Sequence, residues 1–308
     1  MEDKFEGMEP RQIIKKTRHK AELWLKCIAI ILSCLLFIAV GLVAETARTD
    51  TEVRTEIESF FDEEEDAVET DILNVLLDLG IGCSLVAVAG MILFLLYTFY
   101  SQYAQTMAYS VKVTPVNFPE IYAKAAEFTK QLGLKKQPEV YIEQQNGILN
   151  AFSTYVLGKR YVSINAELVD VAYLENKDFD TVYFVMAHEF GHIYLGHVTL
   201  RYNLFTLLAR IIPVFGPLLS RAQEYSADRV AQALTDNTNS AECMALLSVG
   251  RHLYKHMDVN DYLQSAEANH NCMERLSRFV VNMMATHPIT PFRVKAIMDP
   301  ERRSGRLL

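Results

Sequence analysis

Two long uncharged segments constrain this chain more than any other feature. Residues 27–44 contain no charged side chain, and neither do residues 79–97. A helix needs about 20 apolar residues to cross the hydrocarbon core of a bilayer, so each segment is long enough to span a membrane. The alternatives are a cleaved signal peptide for the first segment and a buried core helix for the second. The sequence therefore predicts a two-helix transmembrane anchor, with spans over residues 22–44 and 76–100.

Charge is distributed unevenly around these segments. The stretch from Arg11 to Lys20 contains five Lys or Arg residues and no acid, whereas residues 45–71 contain 12 acidic and 2 basic residues. Because basic flanks stay on the cytoplasmic side, we predict a cytoplasmic basic N-terminus over residues 1–21 and an acidic extracytoplasmic loop over residues 45–75. The remaining residues, 105–308, then form a cytoplasmic domain of a multi-pass protein of the cell membrane. The lipid bilayer is an expected partner, and no basic patch indicates nucleic acid.

The domain that follows the second segment has a mixed pattern. Apolar residues at helical spacing predict a helix over Pro119–Leu134. Short runs typical of strands follow at Glu139–Glu143, Leu149–Val156 and Arg160–Asn165. From residue 180 to residue 298 the pattern is helical apart from loops. The prediction is an α+β domain that is mainly helical and has a small β-sheet.

The apolar stretch Tyr202–Ser220 interrupts the helical part of the domain. It contains Arg210 near its centre and two prolines near its end. A central charge and two prolines argue against a simple third span. We expect two short helices that lie on the membrane or pack near the active site.

The motif with the clearest chemistry is HEFGH at residues 188–192, inside a predicted helix. Helical spacing places His188 and His192 on one face, so both imidazoles can reach one zinc ion. Glu189 can then act as general base on the water that zinc activates. The motif predicts one Zn²⁺ per chain and a zinc metallopeptidase. His197 misses the third-histidine position of metzincins by one residue, so we expect a polar neighbour there and not a ligand.

An acidic pair downstream can complete the zinc site. Glu224 and Asp228 stand four residues apart in the sequence QEYSAD and therefore share a helix face. One carboxylate can bind zinc while the other orients a ligand histidine through its free ring N–H. Spacing alone leaves open which of the two binds the metal.

Three motifs in order resemble the HtpX and CAAX prenyl peptidase family, within the gluzincins. They are HEFGH, QEYSAD, and the sequence THP at residues 286–288 followed by Arg293. The resemblance covers about residues 105–300. It implies a gluzincin fold, endopeptidase activity, Glu224 as third zinc ligand and Asp228 behind the ligands. It also implies that His287 and Arg293 are catalytic residues that steady the oxyanion.

The segment Asn150-Ala151-Phe152 resembles the substrate-binding edge strand of HtpX and of thermolysin-like enzymes. An exposed edge strand pairs with an extended peptide through main-chain hydrogen bonds, which admits many sequences. The resemblance thus implies polypeptide substrates, namely membrane or misfolded proteins, and a role in protein quality control. The chain is too small for the many-helix chamber of CAAX peptidases, so prenyl substrates are not expected.

Two other functions compete with this interpretation. The first is a membrane scaffold or regulator with a structural zinc site, which would not need the carboxylate of Glu189. The second is an intramembrane protease, in which the metal motif would lie within a span. Asp178 and Asp180 precede the motif so closely that a span is disfavoured there.

Overall fold

The computed structural model describes residues 8–49, 80–145, 149–156, 158–175, 179–235, 239–267, 271–298 and 305–307. Most of the predicted acidic loop and the first residues of the second predicted span lie outside these ranges.

The N-terminal part of the molecule is helical. It contains α1 (Pro10–Thr17), α2 (Glu22–Thr49) and α3 (Gly80–Tyr109). Among the described residues one helix is long and apolar enough to cross a membrane, over Glu22–Val43 of α2. Where the sequence predicted two spanning helices, the described residues contain one candidate, α2, and its length and composition are what suggest membrane association. The second span and the multi-pass arrangement stay predictions.

A small mixed sheet follows, in which three strands agree with the predicted ones within two residues, while the two-residue strand that comes first was not predicted. It consists of β1 (Val111–Lys112), β2 (Glu139–Glu143), β3 (Ala151–Val156) and β4 (Lys159–Asn165), in the order β1-β2-β4-β3. β2 and β4 are parallel, while β1 pairs antiparallel with β2 and β3 pairs antiparallel with β4. Within the described residues β3 is therefore an edge strand.

Helices make up most of the remaining domain, which confirms the mainly helical α+β prediction. After α4 (Pro119–Gln131) and α5 (Ala166–Asp170), which continues into a π-helical turn at Val171–Glu175, most of the described residues up to Met298 are helical. The later helices are α6 (Asp180–Leu195), α7 (Leu200–Ile211), α8 (Phe215–Leu234), α9 (Ser240–Val249), α10 (Val259–Glu267), α11 (Cys272–Met284) and α12 (Thr290–Met298), with a 3-10 turn at Tyr254–His256.

Helix α6 lies at the centre of the main core, between the sheet and α8. Nearly all of its side chains are buried, which is typical of a helix that is apolar on every side. A Cβ atom on Gly191 would lie 3.2 Å from the Cα atom of Ala227 in α8. The glycine therefore lets α6 and α8 approach closely, and this brings the two metal motifs together.

The apolar stretch Tyr202–Ser220 forms α7 and the beginning of α8. Helix α7 packs along α2, where the Ala209 N–H donates to Ser33 Oγ at 3.2 Å. At 12 residues, α7 is too short to cross a bilayer. Gly216 permits the turn into α8, because a Cβ atom there would clash with the Arg210 carbonyl oxygen. The two helices agree with the prediction, although α8 extends much further than expected.

Candidate metal centre

Three side-chain donors converge between α6 and α8. The Nε2 atoms of His188 and His192 are 3.0 Å apart. Glu224 places Oε2 at 3.4 Å from His188 Nε2 and Oε1 at 3.4 Å from His192 Nε2. Tetrahedral zinc with bonds of about 2.0–2.1 Å keeps its donors about 3.3 Å apart, so the three positions fit one zinc ion.

The chemical state of Glu224 also fits a metal ligand. Burial raises the pKa of this carboxyl, but His188 and His192 hold it well below its usual range. Its Oε2 atom is buried and makes no hydrogen bond within the described residues. A buried carboxylate oxygen without a hydrogen bond is costly, and a bound cation would remove that cost.

Asp228 and Arg293 lie behind His188. His188 Nδ1 is 2.8 Å from Asp228 Oδ1, and Arg293 donates to both oxygens of Asp228, at 2.9 Å and 2.6 Å. Burial raises the pKa of Asp228, but the Arg293 guanidinium overcomes this and lowers it to about 2. The carboxylate is therefore ionised, and it can accept the Nδ1–H of His188 when Nε2 faces a metal. The main contact of Arg293 is thus Asp228.

A helix cap brings His197 against His192. Gly196 ends α6 with φ 81°, and the His197 N–H donates to the His192 carbonyl at 3.0 Å while the Gly196 N–H donates to the Ile193 carbonyl at 3.3 Å. This pair of bonds is the Schellman motif. It folds the chain back so that the two Nδ1 atoms of His192 and His197 are 2.9 Å apart. Burial lowers the pKa of His197 to about 4, so the ring is neutral near neutral pH.

The other ring nitrogen of His197 faces Glu22, the first residue of α2. Nε2 of His197 lies 3.1 Å from Glu22 Oε1. The sequence analysis missed Glu22, because nothing in local spacing connects it with a motif so far along the chain. Its only signal is its position as the last acid before the first uncharged segment.

Glu189 contacts the edge strand. Ser153 Oγ donates to Glu189 Oε2 at 2.6 Å, and Glu189 is buried. Sequence analysis missed Ser153, although alternation along a strand puts residues 151 and 153 on the same face. The Phe152 side chain packs against Tyr161, with ring centroids 6.1 Å apart. Phe152 can therefore offer its main chain to a substrate while its side chain packs against Tyr161.

These groups line one cleft of about 530 Å³, within the usual range for binding sites. His287 stands at the rim with its side chain 65% exposed, and its Nε2 lies 3.6 Å from Glu224 Oε1. Asp228 lies behind the wall of the cleft. The other residues predicted as site residues all line it: Asn150, Ala151, Phe152, His188, Glu189, His192, Glu224, His287 and Arg293. Their assignment to individual roles stays a prediction.

The family comparison agrees with this geometry. The family model described as Peptidase family M48 matches residues 115–212 and 200–301, which together span more than half of the chain and all of these groups except Glu22. Comparisons with curated proteins and with solved structures give no significant match. The extent of the family match confirms the prediction of a zinc metallopeptidase at the level of the family. The chain belongs to peptidase family M48 and is a zinc metallopeptidase.

Proposed function

We propose that the protein is a membrane-anchored, HtpX-like zinc endopeptidase that cleaves extended segments of membrane or misfolded proteins. The observation that carries this proposal is the cleft, where three convergent donors and Glu189 lie beside an edge strand. An HtpX-like enzyme is supported by the resemblance of the Asn150-Ala151-Phe152 segment to the edge strand of HtpX.

Glu189 is proposed as the general base. A bound zinc ion would supply a water of pKa about 7 and polarise the scissile carbonyl. Glu189 takes a proton from the attacking water and passes it to the leaving amine. The hydrogen bond from Ser153 holds its carboxylate in place. His287, which is exposed at the rim, is proposed to donate to the oxyanion, and Arg293 to fix Asp228 and through it His188.

The substrate is proposed to bind as an additional strand along β3. This strand pairs with β4 on one side, and among the described residues no strand covers its other side. An extended peptide can add to such an edge through main-chain hydrogen bonds, with little selection of side chains. Asn150, Ala151 and Phe152 would contribute main-chain groups to that pairing.

For the membrane arrangement we propose that α2 spans the bilayer and that residues 105–308 are cytoplasmic. Support comes from the basic residues before α2 and from the apolar side chains exposed along it, such as Ile31, Leu35, Ile38 and Leu42. The second span over residues 76–100 belongs to the same proposal. In a cysteine-free background, a reagent outside the cell should label Ser59→Cys and spare Lys135→Cys. If the reagent labelled Lys135→Cys and spared Ser59→Cys, the orientation would be the opposite of the one proposed.

Catalysis is tested by separating zinc binding from turnover. Detergent-purified protein should digest casein, and a chelator should stop it. Glu189→Gln keeps the shape of the side chain but removes the base, so this variant should bind one zinc ion and show no measurable cleavage. Glu224→Ala should lose most of the zinc, because two imidazoles leave the site short of a ligand.

The matched control is Glu127→Gln, which changes an exposed acid on α4 and should behave like the wild type. If Glu189→Gln digested casein at the wild-type rate, the activity would come from a contaminant and the proposed function would fail.

A further inference from the structure

Glu22 is buried at the start of α2, whose following turns, from Ile28 to Val43, expose many apolar side chains. Its side chain is 2% exposed. Ser226 Oγ in α8 donates to Glu22 Oε2 at 2.5 Å, and Arg18 Nε lies 3.4 Å from Oε1. A carboxylate is costly to bury unless it is paired and hydrogen-bonded. A helix that served only as a tether could keep this acid in water, so the burial of Glu22 calls for a function.

The ring contacts connect Glu22 with the metal centre in a defined direction. If His192 presents the lone pair of Nε2 to zinc, its hydrogen is on Nδ1, and this N–H can donate to His197 Nδ1 at 2.9 Å. A neutral His197 that accepts at Nδ1 carries its own hydrogen on Nε2. That N–H points to Glu22 Oε1 at 3.1 Å. One arrangement of hydrogens therefore satisfies both contacts, and it is the arrangement that metal binding requires.

The segment before α2 is fixed to both metal-binding helices. Arg18 Nη2 donates to the carbonyl of Leu195 in the last turn of α6, at 3.1 Å. The His19 N–H donates to Ser226 Oγ in α8, at 2.7 Å. Because these contacts hold the chain on each side of the site, the Glu22 carboxylate has a fixed position next to His197.

We infer that Glu22 is a positioning residue of the zinc site, which fixes the ring orientation and tautomer of His192 through His197. The membrane-anchor helix thus supplies part of the metal centre in addition to attaching the enzyme to the bilayer. This inference rests on the proposed function, in which His192 is a zinc ligand.

The test measures zinc affinity of the full-length protein in detergent, by competition with a chromogenic chelator. Glu22→Gln keeps the shape and removes the charge, while Glu22→Ala removes the acceptor altogether. Partners of this kind are typically worth about 10–100-fold in metal affinity. We expect a loss in that range for Glu22→Ala and a smaller loss for Glu22→Gln. Glu127→Gln should keep wild-type affinity.

Two further measurements separate positioning from a merely structural role. Co²⁺ in place of zinc should give an altered visible absorption spectrum in the Glu22 variants, since the spectrum reports ligand geometry. In a His197→Ala background, Glu22→Gln should weaken zinc binding no further, because Glu22 acts through His197.

The inference is overturned if both Glu22 variants keep wild-type zinc affinity and Co²⁺ spectrum, whatever their thermal stability. It is also overturned if the effects of Glu22→Gln and His197→Ala on affinity add. If Glu22→Ala fails to fold, the zinc affinities of Glu22→Gln, measured alone and in the His197→Ala background, test the inference instead. A wild-type protein that bound no zinc would instead contradict the proposed function, so the two failures are distinguishable.

Discussion

The two histidines of the HEFGH motif face the same point, but the protein holds them in different ways. His188 contacts a carboxylate directly, and Asp228 and its partner Arg293 both come from the C-terminal helices of the domain. His192 reaches the carboxylate of Glu22 only through a second imidazole, and Glu22 comes from α2. One side of the site is therefore complete within α6, α8 and α12, while the other side requires α2.

The two sides also differ in their electrostatics. Asp228 is fully engaged by a guanidinium in a two-bond fork, which is the strongest geometry for such a pair. Glu22 is surrounded mainly by neutral donors, with Arg18 at a longer 3.4 Å. Removing the arginine should therefore lower the stability of the protein more on the His188 side, where it is Arg293, than on the His192 side, where it is Arg18.

The largest expected effect comes from weakening both sides at once. Asp228→Asn and Glu22→Ala act on different histidines, so their effects on zinc affinity should multiply. With about 10–100-fold for each, the double variant should bind zinc about 100- to 10,000-fold more weakly than the wild type. Chelator competition on the two single variants and the double variant measures this. A double variant no weaker than Asp228→Asn alone would mean that the two sides are not independent.

The next effect concerns Arg293. Arg293→Ala leaves the buried Asp228 carboxylate without its cation, and breaking a buried ion pair in this way costs about 3–5 kcal/mol. Thermal unfolding of the detergent-purified apoprotein should show a large decrease in midpoint. Arg293→Lys keeps the charge but loses the fork, so its decrease should be intermediate. If Arg293→Ala were as stable as the wild type, the proposed electrostatic difference between the two sides would be contradicted.

The smallest expected effect is that of the corresponding arginine on the other side. Arg18→Ala leaves Glu22 with Ser226 and His197 as hydrogen-bond donors. The substitution also removes the hydrogen bond from Arg18 Nη2 to the Leu195 carbonyl, so we expect a loss of stability of about 1 kcal/mol, the usual net value of one hydrogen bond. The same unfolding measurement applies. A loss as large as that of Arg293→Ala would show that Glu22 depends on its cation as much as Asp228 does.

Local patterns were sufficient to predict much of the site. Helical spacing placed His188 and His192 on one face, and the same spacing paired Glu224 with Asp228. The strands were also predicted, because alternation and turn residues are properties of short segments. Gly196 was a further local signal that was not used, since a glycine after a helix predicts the cap that folds His197 back.

The remaining features depend on contacts between distant segments. Ser153 reaches Glu189 because β3 packs beside α6, and Glu22 reaches His197 because the start of α2 packs against α6 and α8. No periodicity in a single segment encodes such contacts. The side chain of Phe152 shows the same limit, since its packing against Tyr161 depends on which face of the sheet it occupies.

The separation of 175 positions between Glu22 and His197 also sets an order of events during synthesis. At about 5–20 residues per second, His197 is made about 10–35 s after Glu22. The anchor segment therefore leaves the ribosome long before the histidines that it will contact. If α2 spans a membrane as proposed, membrane targeting should precede zinc capture, so that the nascent chain reaches the membrane before it gains proteolytic activity.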